Sequence, residues 1–312
     1  MQKGIDKPKK RVYNRRINTD SDSEKKKEKR KMKKIVSLIL ALVMICGAMF
    51  ALTSCGSSET IVSKVGLQKG TTSKMYADLL KGVEVVTYDT FALAAKDLKN
   101  GNVDYVIVDK STARAICAEV DGLKIIENIP LSSENYGIGI DPSQADLKGK
   151  IDAILADKAD EIEAIKEKYA NNEEESFVGV TSAKKDVSKA DSQLVVATNA
   201  EFPPFEYKEG NDGESAIYYG IDMEIAQILA DELGLELVIE DMDFDNVVGS
   251  VGKQGVDIAM SGITITAERM NVINFSIPYY TEAIVAVCKA DDTSLDSVGT
   301  VVDMLNVICA GN

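Results

Sequence analysis

Three places in this 312-residue chain set charged or hydrogen-bonding groups where they could grip a small molecule. The run KVGLQKGTTSKMY, residues 64–76, reads as a strand, a small polar turn from Gly70 to Ser73, and a helix start. Hydroxyls at such a turn cap a helix by accepting from its unpaired N–H groups, and the same N–H groups attract an anion. Either use fits these residues. VDYVIVDK, residues 103–110, ends a buried strand in Asp109. That acid either caps the following STARAI helix or, if Ser111 does so, faces a cleft where it suits an ammonium group. VDIAMSGITITAERMNVINFSIPYY, residues 256–280, sets Ser261, Thr264 and Thr266 after a strand and Arg269 in a first helical turn. Arginine is disfavoured at that end by the helix dipole. A bidentate grip on a carboxylate would explain it, and so would a surface pair with Glu268 or Asp257. The proline-stiffened loop EFPPFEY adds Phe202 and Phe205, one for the core and one for a pocket wall.

Composition removes several chemistries. The chain has no histidine and no tryptophan. Without histidine there is no Ser–His or Cys–His nucleophile, and most zinc-enzyme sites are ruled out. Five cysteines show no CxxC pair and no disulfide framework; Cys117 and Cys288 sit in apolar runs and read as packing residues. No GKS or GKT follows the 70–73 turn, so it is not a Walker loop. The net charge is −14, although residues 1–34 hold 15 Lys/Arg against 5 Asp/Glu. The remainder is therefore strongly acidic and would repel nucleic acid. No cofactor and no metal are called for.

The elements that must position these groups alternate between strand and helix, which specifies an α/β fold. With 45% apolar residues a core can form, and the length suits two domains. The readings are a segment at 62–180, a polar linker at 181–192 (SAKKDVSKADSQ and its flank), a segment at 193–290 and an atypical C-terminal tail at 291–312. Repeated β-α-β units place ligand sites at the carboxyl ends of strands. Upstream, residues 1–31 are basic and read as disordered. MKKIVSLILALVMICGAMFALTSC, residues 32–55, has the charged start, uncharged apolar run and small-residue ending of a secretory signal at 32–54. A membrane span is the alternative, and the ending LTSC favours a signal: it resembles the lipobox of bacterial lipoproteins, which implies lipid on Cys55 followed by a polar tether at 55–61.

Taken together, LVVATNAEFPPFEY, YGIDMEIAQILADELG and FDNVVGSVGKQGVDIAMSGITITAERMNVINFSIPYY resemble the first lobe of the polar amino-acid-binding proteins of ABC importers, of the glutamine, histidine and arginine type. KVGLQKGTTSKMY, GNVDYVIVDKSTA, LSSENYGIGI and AIKEKYA resemble their second lobe and closing helices. The resemblance implies two α/β lobes joined by crossing strands, a periplasmic-binding-protein-like fold of type II, closing over one amino acid. It implies that Arg269 clamps the ligand carboxylate, with the N–H of Thr71 as donor from the other lobe and Thr264 as a nearby hydroxyl. Asp109 then holds the ammonium, helped by Ser261 or the carbonyl near Gly262. Phe202 and Phe244 wall the pocket, Asn199 selects the side chain, and Ser73 and Gln68 complete the second-lobe face. Asn199 in place of an acid points to a neutral polar amino acid.

The order departs from the family: second-lobe motifs precede first-lobe motifs. The expected reading is a circular permutant whose site forms within one monomer. Lobes paired between molecules as a swapped dimer, or a rearranged product that binds weakly, are the alternatives. The function implied is capture of a free amino acid outside the membrane, by a lipid-anchored protein, for the permease of an ABC importer. The protein itself is not expected to be an enzyme. A sensory binding module and a secreted dehydratase on the same fold are the competing functions.

Overall fold

The computed structural model describes residues 63–78, 80–210 and 216–310. The basic extension, the secretory signal, Cys55 and the tether lie outside the described residues.

Short runs of β-branched residues form the first strands, β1 (Lys64–Gln68), β2 (Glu84–Tyr88) and β3 (Tyr105–Asp109), parallel and in the order β2-β1-β3. The intervening helices are α1 (Ser73–Ala77) and α2 (Phe91–Asn100), and α3 (Lys110–Glu119) follows β3. β3 is buried along its whole length, as expected where both faces of a parallel sheet are covered. Along α2, Phe91, Ala94, Ala95 and Leu98 make the buried stripe of an amphipathic helix. The hydroxyl of Thr90 accepts from Leu93 N–H at its start, and Gly101 ends it in the left-handed conformation.

After β4 (Leu123–Ile125) and β5 (Ser132–Tyr136), the chain crosses to a second sheet at β6 (Gly139–Ile140). There follow α4 (Ala145–Asp157), α5 (Ala159–Ala170), β7 (Val180–Thr181), β8 (Gln193–Thr198), β9 (Glu201–Phe202), β10 (Glu206–Glu209) and β11 (Ile217–Tyr219). Next come α6 (Ile221–Leu233), β12 (Glu236–Asp241), α7 (Phe244–Ser250), β13 (Ile258–Ala259) and β14 (Asn274–Phe275). This sheet has the order β12-β8-β13-β6-β14, and a small sheet of β7-β11-β10-β9 lies beside it. The start of α6 depends on Gly220, whose φ is +124°; a Cβ there would sit 2.1 Å from the Phe205 carbonyl oxygen. The chain then crosses back. β15 (Tyr280–Lys289) pairs antiparallel with β3, β4 and β5, and α8 (Val301–Ala310) follows it.

The architecture is α/β with two lobes, and the lobe limits differ from those read along the sequence. Residues 280–289, placed with 193–290, belong to the first-described sheet, because β15 pairs with β3 through Ile284↔Asp109 to Val287↔Val106. Residues 139–180, placed with 62–180, belong to the other lobe: Ile151, Leu155, Ile162 and Ile165 share a core with Ile225 and Leu229 of α6. Segment 181–192 joins β7 to β8 within that lobe, where Ala183 N–H bonds Leu237 O and Ser182 Oγ accepts from Ile239 N–H. The expected tail is core material: Leu295, Met304 and Ile308 are buried with Leu67, Ile107 and Ala286. Among the described residues no helix is long and apolar enough to cross a membrane.

Ile308 is fully buried, so Ile308→Ala should lower stability by about 2–5 kcal/mol. Chemical denaturation of the purified chain measures this. A loss below about 0.5 kcal/mol would mean that α8 does not cover this sheet in solution.

Candidate functional site

The cleft between the lobes is built from four loops, each at a strand end. On the lobe of β1, the 69–72 turn leaves the sheet through Gly70, φ +76°, where a Cβ would approach the Asp245 backbone across the cleft to 3.0 Å. Its hydroxyls do not cap α1. Thr71 Oγ1 donates to Gln68 O at 2.7 Å, and Thr72 Oγ1 donates to Glu134 Oε2 at 2.7 Å. Ser73 Oγ is buried and finds no partner among the described residues.

Asp109 closes β3 and occupies the N-cap position of α3 without making a side-chain cap bond. It is buried, and the Tyr136 hydroxyl donates to its Oδ1. Burial raises its pKa to about 8; Tyr136 opposes that shift, while Glu282 and Glu134 add to it. On the other lobe, Arg269 starts a one-turn 3₁₀ helix and points into the cleft. Its Nη1 donates to Thr264 O at 2.9 Å and its Nη2 to Gly70 O at 3.0 Å, and the guanidinium lies 5.7 Å from the Phe244 ring centre. Burial lowers its pKa, and Glu134 and Asp109 work against that shift.

The 261–264 loop is held from behind by acids. Ser261 Oγ donates to Glu206 Oε1 at 2.6 Å and accepts from Asn199 N–H at 3.1 Å. Gly262 N–H donates to Asp222 Oδ2 at 2.9 Å, and the Tyr279 hydroxyl donates to the same carboxylate at 2.8 Å. Burial lifts the Asp222 pKa to about 7 and also raises that of Glu206. Gly262 has φ +53°, and a Cβ there would lie 2.7 Å from the Phe202 ring, so this position has no room for a serine in this geometry.

Nine of the residues singled out from sequence line one small cavity: Gln68, Thr71 and Asp109 from one side, and Phe202, Phe244, Ser261, Gly262, Thr264 and Arg269 from the other. Its volume is about 10 Å³, the space of a single water, so the lobes stand closed. Asn199 and Ser73 are not in the lining. Asn199 stands one bond behind it, with Oδ1 accepting from Gln68 Nε2 at 3.0 Å and Nδ2 donating to Met242 O at 3.0 Å. The sequence reading missed Thr72, Glu134 and Tyr136. Glu134 and Tyr136 alternate on β5, so both face the same side of the strand, and that spacing of polar groups on a crossing strand was the available signal. A cleft with a guanidinium on one lobe and a carboxyl on the other can grip a molecule that carries both charges.

Residues 194–306 match the model of the bacterial extracellular solute-binding proteins, family 3. The matched segment includes the Arg269 loop, all of β15 and α8 as far as Asn306. It is 38% identical over 99 residues to the arginine-binding extracellular protein ArtP of Bacillus subtilis, a match covering 32% of this chain and 37% of ArtP. It is 41% identical over 86 residues to the cyclohexadienyl dehydratase of Pseudomonas aeruginosa, covering 28% and 31%. Among solved structures, the L-arginine-bound amino acid ABC transporter substrate-binding protein AbpA of Streptococcus pneumoniae is 47% identical, covering 30% of this chain and 38% of that one, with a TM-score of 0.27. The chain thus spans about a third of the length of the curated relatives it matches.

In this fold, ionised Asp109 is a cost to folding. Its raised pKa means that the folded state holds a proton the unfolded state has lost, between the ordinary aspartate range near 4 and about 8. Stability should be full below that window and fall as pH rises through it. Asp109→Asn, which carries no ionisable proton, should lessen the pH dependence of the melting temperature between pH 5 and 8.5, leaving the part due to Asp222 and Glu206, and raise that temperature at pH 8. An unchanged slope would contradict a buried, proton-holding Asp109.

Proposed function

We propose that the protein captures a single amino acid between its lobes, outside the cytoplasmic membrane, and hands it to the permease of an ABC importer. The observation that carries this reading is the opposition of Arg269 and Asp109 across one cleft, each on a different lobe and each in a largely dehydrated setting. A zwitterion offers a carboxylate to the first and an ammonium to the second, and exclusion of water strengthens both contacts. Relatives that bear the names of arginine-binding and cystine-binding proteins support an amino-acid ligand. The amide pair Gln68–Asn199 beside the cavity supports a neutral polar side chain. Anchoring through a lipid on Cys55 completes the proposal and keeps the domain near its permease.

The proposal includes a permuted monomer with its site in cis, with a lobe-swapped dimer as the alternative. A second reading, a dehydratase of prephenate-like acids, is favoured by the likeness to cyclohexadienyl dehydratase and by a buried carboxyl at Asp109 able to lend a proton.

Thermal-shift screening of residues 55–312 against the twenty amino acids tests capture. At least one neutral polar amino acid should raise the melting temperature, and Arg269→Ala should lose that rise through loss of a charge-assisted contact. No rise with any amino acid, together with turnover of prephenate, would replace capture with catalysis.

A further inference from the structure

Two buried amides meet across the cleft, and a backbone carbonyl turns each of them. Gln68 ends β1 on one lobe, and Asn199 follows β8 on the other. The two ends of a side-chain amide have nearly the same shape, so its neighbours decide which end is nitrogen. A main-chain carbonyl can only accept. The Gln68 amide reaches Asp89 O at 2.9 Å, so the end that points there is Nε2. The Asn199 amide reaches Met242 O at 3.0 Å, so the end that points there is Nδ2. The other end of Asn199, Oδ1, then faces Gln68 and accepts from Nε2 at 3.0 Å. Both protons of the Gln68 nitrogen are thereby spent, one within its own lobe and one across the cleft. Gln68 also lines the cavity, and its Oε1 takes no donor among the described residues. The cavity therefore meets Gln68 as a carbonyl oxygen.

The other uncharged side chains of the lining do not offset this. A hydroxyl has one proton to give. Thr71 gives its proton to Gln68 O, Thr72 and Thr264 give theirs to Glu134, and Ser261 gives its own to Glu206. Arg269 and Asp109 are the charged groups of the lining. On the amino-acid reading they face the α-carboxylate and the ammonium of the ligand. A second carboxylate, carried on the ligand's side chain, then finds none of these hydroxyls free to donate and meets the Gln68 oxygen. A side chain that ends in N–H or O–H finds an acceptor there instead. Leaving a buried polar group unpaired is costly, so the difference between two such side chains is large.

We propose that Gln68, its amide locked by Asp89 O and Asn199, selects amino acids whose side chains end in a hydrogen-bond donor and rejects the acidic ones. Asn199 is the positioning residue of this selection and acts through Gln68 without touching the ligand. The selection rests on the amino-acid reading of the same cleft, and its test separates the two. Dissociation constants for the twenty amino acids would be measured by titration calorimetry on the wild type, Gln68→Met and Asn199→Leu. The amino acid that binds wild type most tightly should carry a side-chain N–H or O–H. Glutamate and aspartate should each bind at least about tenfold more weakly than it does. In Gln68→Met and in Asn199→Leu that margin should shrink at least about threefold. A folding defect would weaken every ligand together and leave the margin as it was, so an unchanged margin in either variant overturns the selection. So does a tightest ligand without a side-chain donor, or an acidic amino acid that binds within tenfold of it. If wild type binds no amino acid, the capture reading fails. The lock is then judged by NMR on the Gln68 side-chain NH₂, identified by its absence from the Gln68→Met spectrum. Its exchange with solvent should be slower in wild type than in Asn199→Leu, and equal rates overturn the lock.

Discussion

A carboxylate taken out of water must be given donors, and this cleft contains more buried carboxylates than cations. Asp109, Glu134, Glu206, Asp222 and Glu282 are all buried, and Arg269 is the cation among the cavity's lining residues. Each acid draws its donors from a different element. Tyr136 serves Asp109, the hydroxyls of Thr72, Thr264 and Tyr76 serve Glu134, Ser261 serves Glu206, and Gly262 N–H with Tyr279 serves Asp222. Ser111 N–H lies 3.2 Å from Glu282. The positions of the 69–72 and 261–264 loops follow from these demands. So does the character of the cavity, which has an electrostatic need for a group that brings a proton or a positive charge.

The same residues tie the site to the motion the fold allows. The two crossings run side by side, with Tyr279 N–H on Tyr136 O at 3.1 Å and Ser276 N–H on Ile138 O at 3.0 Å. A pair of bonded strands bends more readily as a hinge than it slides. Tyr136 lies in this pair, stacks at 5.8 Å on Tyr280 and meets Phe205 edge-on at 5.1 Å. Its hydroxyl meanwhile holds Asp109. A change at Asp109 is therefore felt by the paired crossing strands through one side chain. Phe91 against Phe202, 5.9 Å apart, adds an apolar contact between the lobes that would be wetted on opening.

Much of the molecule was legible before folding. The buried strand runs, the α2 stripe with its Gly101 stop, and the glycine end of α6 are local patterns, decided within one or two turns of chain. Arg269 and Asp109 stood out for a related reason: each is a charge where local rules disfavour it, and a misplaced charge has to be explained by something distant. What was not legible was partnership. Tyr280–Lys289 has the composition of a strand on either lobe, and only the open edge of β3 gave it a place. The 291–312 stretch looked like an irregular tail until α8 covered the sheet beneath it.

Sequence alone determined the alternation of strands and helices and the kinds of charged and hydrogen-bonding groups set at the strand ends, because propensity, periodicity and charge act over a few neighbouring residues. Tertiary structure alone decided which lobe owns β15, α4 and α5, and where each hydroxyl spends its proton. Glu134 shows the difference. As a letter in LSSENYGIGI it is one acid among many on a polar strand end. Its place exists only because Thr72 and Thr264, 62 and 130 positions away, arrive at the same carboxylate, and a hydrogen bond is specified by where two groups meet in space, whatever their separation along the chain.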